Sequence, residues 1–114
     1  MKQSPIFVKH YDLMAWLIPR TISFPKSQRG ILARQLQQEL FRINEALVDA
    51  GTSKQPELGL LEADRGLIRL RTYLRLSREL TLLSPNQFQH AAQLVKEVGR
   101  LLGVGGWKKT IRPR

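Results

Sequence analysis

The sequence predicts an all-α protein, an antiparallel up-and-down four-helix bundle. Apolar residues recur every three to four positions through four segments, the spacing that gathers them on one face of a helix. Proline, glycine and capping residues separate these segments by short links, which favours antiparallel neighbours. No segment alternates apolar and polar residues between turn signals as a strand would, and nothing repeats internally.

The first segment opens at Ser4-Pro5, a capping residue followed by proline at a position where its missing N–H costs nothing. Pro19 should kink or end this helix. Between Ile6 and Ile18 the only charges are Lys9 and Asp12, so the helix is apolar on nearly every side. One face can enter the bundle, and the rest would be exposed in a monomer. That excess predicts a subunit interface carried by Phe7, Leu13, Met14 and Leu17. The alternative is a central helix covered by its own bundle.

Phe24-Pro25 restarts the chain, and a second helix from about 25 to 50 keeps Leu32, Leu36, Leu40, Ile43 and Leu47 in register. Gly51 should end it. After the polar link Thr52 to Gln55, Pro56-Glu57 opens a third helix that reaches towards Leu83 and buries Leu60, Ala63, Leu67, Leu70 and Leu74. Ser84-Pro85-Asn86-Gln87 reads as a capping box for the fourth helix. That helix carries Phe88, Ala91, Ala92, Val95, Val98 and Leu102 on one side and ends at Gly103. The predicted domain is therefore residues 1–103, followed by a glycine-rich, basic tail over 104–114.

A chain of 114 residues, 42% hydrophobic, suffices for one domain with its own core. Its net charge of +10 favours anionic partners: nucleic acid, an acidic protein surface or anionic lipid. It has no cysteine, which removes disulfides, thiolate nucleophiles and the common zinc clusters. The N-terminal residues lack the apolar core of a secretory signal, and the uncharged run Leu13 to Pro19 is too short to span a bilayer. The expectation is a soluble, cytoplasmic protein that does not enter the membrane.

Five arginines, Arg65, Arg69, Arg71, Arg75 and Arg78, lie on the third helix. At ~100° per residue, Arg71, Arg75 and Arg78 share one flank beside the apolar stripe, whereas Arg65 and Arg69 stack one turn apart elsewhere. Beyond Glu57 in its first turn, Glu62, Asp64 and Glu79 oppose them. So much unpaired charge favours a polyanion; the alternative is a solvated face with a few ion pairs. Lys26 and Arg29, in the turn entering the second helix, suggest a further phosphate site. Lys108, Lys109, Arg112 and Arg114 make a basic tail, and Trp107 either stacks on a base or plugs the fold.

Catalysis finds little support. His10 and His90 fall on different helices with no acid–nucleophile set, and neither a HExxH pair nor a GxxxxGK[ST] loop is present. Glu62 and Asp64 point to different sides of their helix. No enzyme activity, metal or cofactor is predicted.

Several motifs together resemble one family. Tyr11-Asp12-Leu13, Trp16 and Pro19, then Phe24-Pro25-Lys26, are similar to the accessory variability determinant (Avd) proteins of diversity-generating retroelements. So are Leu70-Arg71-Thr72-Tyr73-Leu74-Arg75 and Glu97-Val98-Gly99-Arg100-Leu101-Leu102-Gly103, followed by Trp107. The motifs cover about residues 6 to 108, and Val104 departs from the tighter glycine–tryptophan junction of the family. Proteins encoded in 23S ribosomal RNA intervening sequences share the fold and much of the pattern.

The resemblance implies a four-helix bundle assembled into a basic, pentameric barrel. It implies partnership with a reverse transcriptase and its template RNA, with DNA as a second nucleic acid, in copying that misreads template adenines. Family arginines matching Arg71 and Arg75 bind polymerase and nucleic acid; Arg65, Arg69 and Arg78 join them on charge and spacing alone. Two other readings stand beside this one. One is a nucleic-acid-binding protein of the ribosomal intervening-sequence type with no polymerase. The other is a structural oligomer that meets an acidic protein.

Overall fold

The computed structural model describes residues 4–103, and every regular element among them is helical. Helix α1 covers Pro5–Ile22; a short α2 (Lys26–Gln28) passes through a π-helical turn (Arg29–Ala33) into α3 (Arg34–Thr52). Helices α4 (Glu57–Glu79) and α5 (Pro85–Gly103) complete the bundle. Helix α3 packs along α4, α4 along α5, and α1 against both α5 and α3, which leaves α1 and α4 on a diagonal. The basic tail and Trp107 lie outside the described residues, as does the expected 103/104 domain boundary's far side.

The core is the set that helical spacing picks out. Leu36, Leu40, Ile43 and Leu47 from α3 meet Leu60, Ala63, Leu67, Leu70 and Leu74 from α4, and Ala91, Val95, Val98 and Leu102 close it from α5. From α1, Leu13 and Leu17 enter with no exposed surface at all. Two glycines let α3 and α4 approach closely. A Cβ on Gly59 would stand 2.6 Å from the Ala46 carbonyl oxygen, and one on Gly66 would stand 2.6 Å from Ile43 Cγ1.

Two boundaries differ from the sequence expectation, and Pro19, expected to kink or end α1, does not end it. The proline's missing N–H leaves the Ala15 carbonyl without a helical partner, and Ala15 is exposed to water. Gly51 continues α3 by one residue beyond it, where the Thr52 hydroxyl donates to the Val48 carbonyl at 2.9 Å before Ser53 turns extended. Helix α4 stops at Glu79, short of Leu83. There the Leu82 N–H bonds the Ser77 carbonyl and the Thr81 N–H bonds Arg78, a Schellman closure with Thr81 in the left-handed region at φ 59°. The start of α5 matches expectation: Ser84 Oγ accepts from the Gln87 N–H at 3.1 Å, and Gln87 Oε1 accepts from the Ser84 N–H at 3.0 Å.

Candidate nucleic-acid interface

The expected arginine flank exists, and α5 supplies its floor. Arg71 lies across Gly99, so close that a Cβ there would stand 2.9 Å from an Arg71 guanidinium nitrogen. The two motifs from the third and fourth segments therefore meet in space, and the missing side chain of Gly99 makes room for the guanidinium. Arg78 stacks on Phe88 at 4.5 Å from the ring centroid, which orients a cation that would otherwise sample many rotamers. Arg75 stands exposed between these levels. None of the three has an ion-pair partner among the described residues. The nearby Arg100 is committed to Glu97, whose carboxyl is held below the usual range by that hydrogen bond.

The other two arginines of α4 behave differently. Arg65 pairs with Glu62 at 3.6 Å on the open surface. Arg69 turns to α3, where its Nε donates to Glu39 Oε2 at 2.9 Å. Arg42 donates to the same oxygen at 2.8 Å, and Glu39 is only 1% exposed. Arg69 is thus a structural partner of a buried carboxylate, and the expectation that it adds to a free basic face is corrected. The sequence carried a signal for this: Glu39 sits among Leu36, Leu40 and Ile43 on the buried stripe of α3, where a lone acid requires a cation from a neighbouring helix.

Lys26 and Arg29 do come together, in company the sequence did not announce. They line a groove at the junction of α1 with the π-helical turn, joined by Thr21, Gly30, Arg34 and Gln37. Gln37 Nε2 donates to Thr21 Oγ1 at 2.8 Å, and Thr21 donates onward to the Ile18 carbonyl at 2.7 Å, which fixes the groove's floor. The three cations are exposed and have no ion-pair partner among the described residues.

The interface residues expected on α1 divide. Leu13 and Leu17 are core residues of the protomer, because their stripe with His10 and Thr21 points straight into the bundle. Phe7 and Met14 are half-buried against the core, and the Phe7 ring packs at Gly51. The apolar surface that α1 leaves open is instead Val8, Tyr11 and Ile22. Helical spacing alone could not separate these sets, since α1 is apolar on both.

No helix among the described residues is long and apolar enough to cross a membrane. A search among curated proteins finds no match. The family model described as bAvd-like matches residues 6–111, nearly the whole chain, and the protein belongs to that family.

Proposed function

We propose that this bAvd-like chain is a non-enzymatic accessory subunit of a retroelement reverse transcriptase, holding the polymerase and its template RNA on a basic oligomer. The observation that supports this reading is the α4–α5 face, where Arg71, Arg75 and Arg78 stand on one flank with no ion-pair partner among the described residues, two of them oriented by α5. Arginine forks suit phosphates and carboxylates alike, so one face serves either an RNA backbone or an acidic polymerase surface. Arginine contacts to phosphate carry no base information, so RNA is held mainly through its backbone and with little sequence preference. Assembly through the exposed side of α1 would repeat the face and raise avidity.

Copurification tests the proposal. Tagged wild-type chain, expressed with its retroelement, should retain the reverse transcriptase and template RNA. The Arg71→Ala/Arg75→Ala variant should keep its helicity, because both residues are exposed and alanine favours helix, yet lose both partners. Retention of both partners by the folded variant would sink the assignment.

A further inference from the structure

The groove at the π-helical turn is lined by α1, the turn itself and the start of α3, whereas Arg71, Arg75 and Arg78 stand on α4 beside α5. We infer that this groove is a second binding site for the phosphodiester backbone of RNA, with Arg29 and Arg34 as the principal phosphate contacts. The inference rests on the RNA-binding reading and adds a site to it.

Three observations carry the inference. First, among the described residues the groove gathers Lys26, Arg29 and Arg34 without a single acidic side chain in its lining, whereas Arg42 and Arg69, which line another groove, share Glu39. Like charges brought together around a concavity repel one another, and an anion in the groove relieves that repulsion. Second, the π-helical turn sets Arg29 and Arg34 five residues apart across its wider loop, so both reach the groove. Such turns are uncommon and recur at functional positions. Third, Gly30 stands in the wall with nothing within 4 Å of where its Cβ would be. Packing does not require glycine here, and its φ is not positive. Glycine costs about 1 kcal/mol relative to alanine in a helix, so its one visible effect is to keep the groove open between the cations.

Chemistry favours RNA over an acidic polypeptide. Protein recognition draws most of its energy from apolar and aromatic anchors seated in pockets. This groove offers only Ile22 and Ala33 as apolar lining, and Ala33 is buried. What remains is clustered charge, which suits a regularly repeating line of phosphates.

The test measures affinity for a short single-stranded RNA of mixed sequence across a salt series. Two groove variants are compared with wild type: Arg29→Ala/Arg34→Ala, and Gly30→Glu, which places a carboxylate between the cations where the backbone has room. Lys54→Ala, an exposed site at the far end of α3, matches the charge change of Gly30→Glu. Circular dichroism confirms the fold of each. The arginine pair should lower the slope of log affinity against log salt by about 1.4 and weaken binding about tenfold near physiological salt, at ~0.7 per phosphate contact. Gly30→Glu should weaken it comparably, and Lys54→Ala should not.

If either folded groove variant binds RNA as tightly as wild type, the inference is overturned. Should Arg71→Ala/Arg75→Ala weaken binding in that same series, the α4–α5 reading survives without the groove. No RNA binding by wild type overturns both. If the groove variants lose binding to poly-glutamate and keep RNA, the groove takes an acidic protein segment and the inference fails.

Discussion

Arginines that look alike in the sequence have unlike duties in the fold, and the difference is set by what stands opposite them. Arg69 shares the buried Glu39 carboxylate with Arg42, while Arg71 and Arg75 pair with no acid among the described residues. Removing one partner of a buried charge leaves that charge poorly compensated. Arg69→Ala should therefore destabilise the protein, by about 1–3 kcal/mol because Arg42 remains and Arg69 is partly exposed. Chemical denaturation would measure this, and the loss should exceed that of Arg71→Ala, which should be near zero. His10 gives a second residue-scale expectation. It is buried in α1 with its Nε2–H donated to the Leu40 carbonyl at 2.9 Å and its Nδ1 without a partner among the described residues. Burial holds its pKa below the ordinary value, against the smaller raising effect of the Leu40 bond. The unfolded chain therefore takes up the proton first as pH falls. The stability from neutral His10 is present above the unfolded value, near pH 6.5, and is lost progressively as pH drops below it. Denaturation midpoints should fall between about pH 7.5 and about pH 5.5 in wild type, and less in His10→Gln, whose amide does not titrate.

At the scale of elements, the buried stripes of α3, α4 and α5 were readable because each keeps one helical period, whereas α1, apolar on nearly every side, hid which of its residues point inward. The capping box at Ser84 was readable because it is local. Features set by a second helix were not. Glu39 with Arg69, the floor under Arg71, and the groove with Arg34 all require knowing which helices are neighbours and in what register. The end of α4 was missed for another reason: Thr81 takes a left-handed conformation that glycine or asparagine usually marks, so no turn residue announced it. The α3–α4 contact is where register can be tested. Gly59→Ala would gain about 1 kcal/mol of helix propensity in isolation. In the bundle its methyl meets the Ala46 carbonyl oxygen and the Ala50 backbone nitrogen, neither of which can swing aside as a side chain does. The helices must separate, at a cost of about 1–3 kcal/mol. Gly99→Ala is the contrast, since its methyl would meet the movable end of Arg71. Thermal melts should show Gly59→Ala clearly destabilised and Gly99→Ala close to wild type; equal behaviour would contradict the close α3–α4 approach.

Over the whole molecule, charge and apolar surface are both distributed unevenly. Between residues 45 and 65 five acids, Glu45, Asp49, Glu57, Glu62 and Asp64, face two cations, Lys54 and Arg65, whereas Arg20, Lys26, Arg29, Arg34, Arg75 and Arg78, with Glu79 beside them, lie towards the opposite end. A bundle polarised along its axis would disfavour side-by-side association in which like ends meet unless apolar contact outweighs repulsion. Such contact is available on one side. Val8 and Tyr11 are 44% and 69% exposed on α1, and Phe41 and Val48 are 48% and 44% exposed on α3. On α3 the spacing of Gln37, Phe41, Asn44 and Val48 stacks them along one edge, and Gln37 bonds Thr21 of α1, so that edge faces α1. The two helices thus present adjoining apolar surface, a poor match to water and a good match to another copy. Light scattering across a dilution series should give an oligomer, with five copies the number the family resemblance implies. Tyr11→Glu/Phe41→Glu should shift it to monomers with unchanged helicity, because both side chains are exposed in the protomer. Leu13→Glu should unfold it, because that side chain has no exposed surface. A wild-type monomer at micromolar concentration, or an oligomer indifferent to the Tyr11/Phe41 pair, would remove this face as the contact, and any avidity for RNA would then have to come from the two basic surfaces of a single chain.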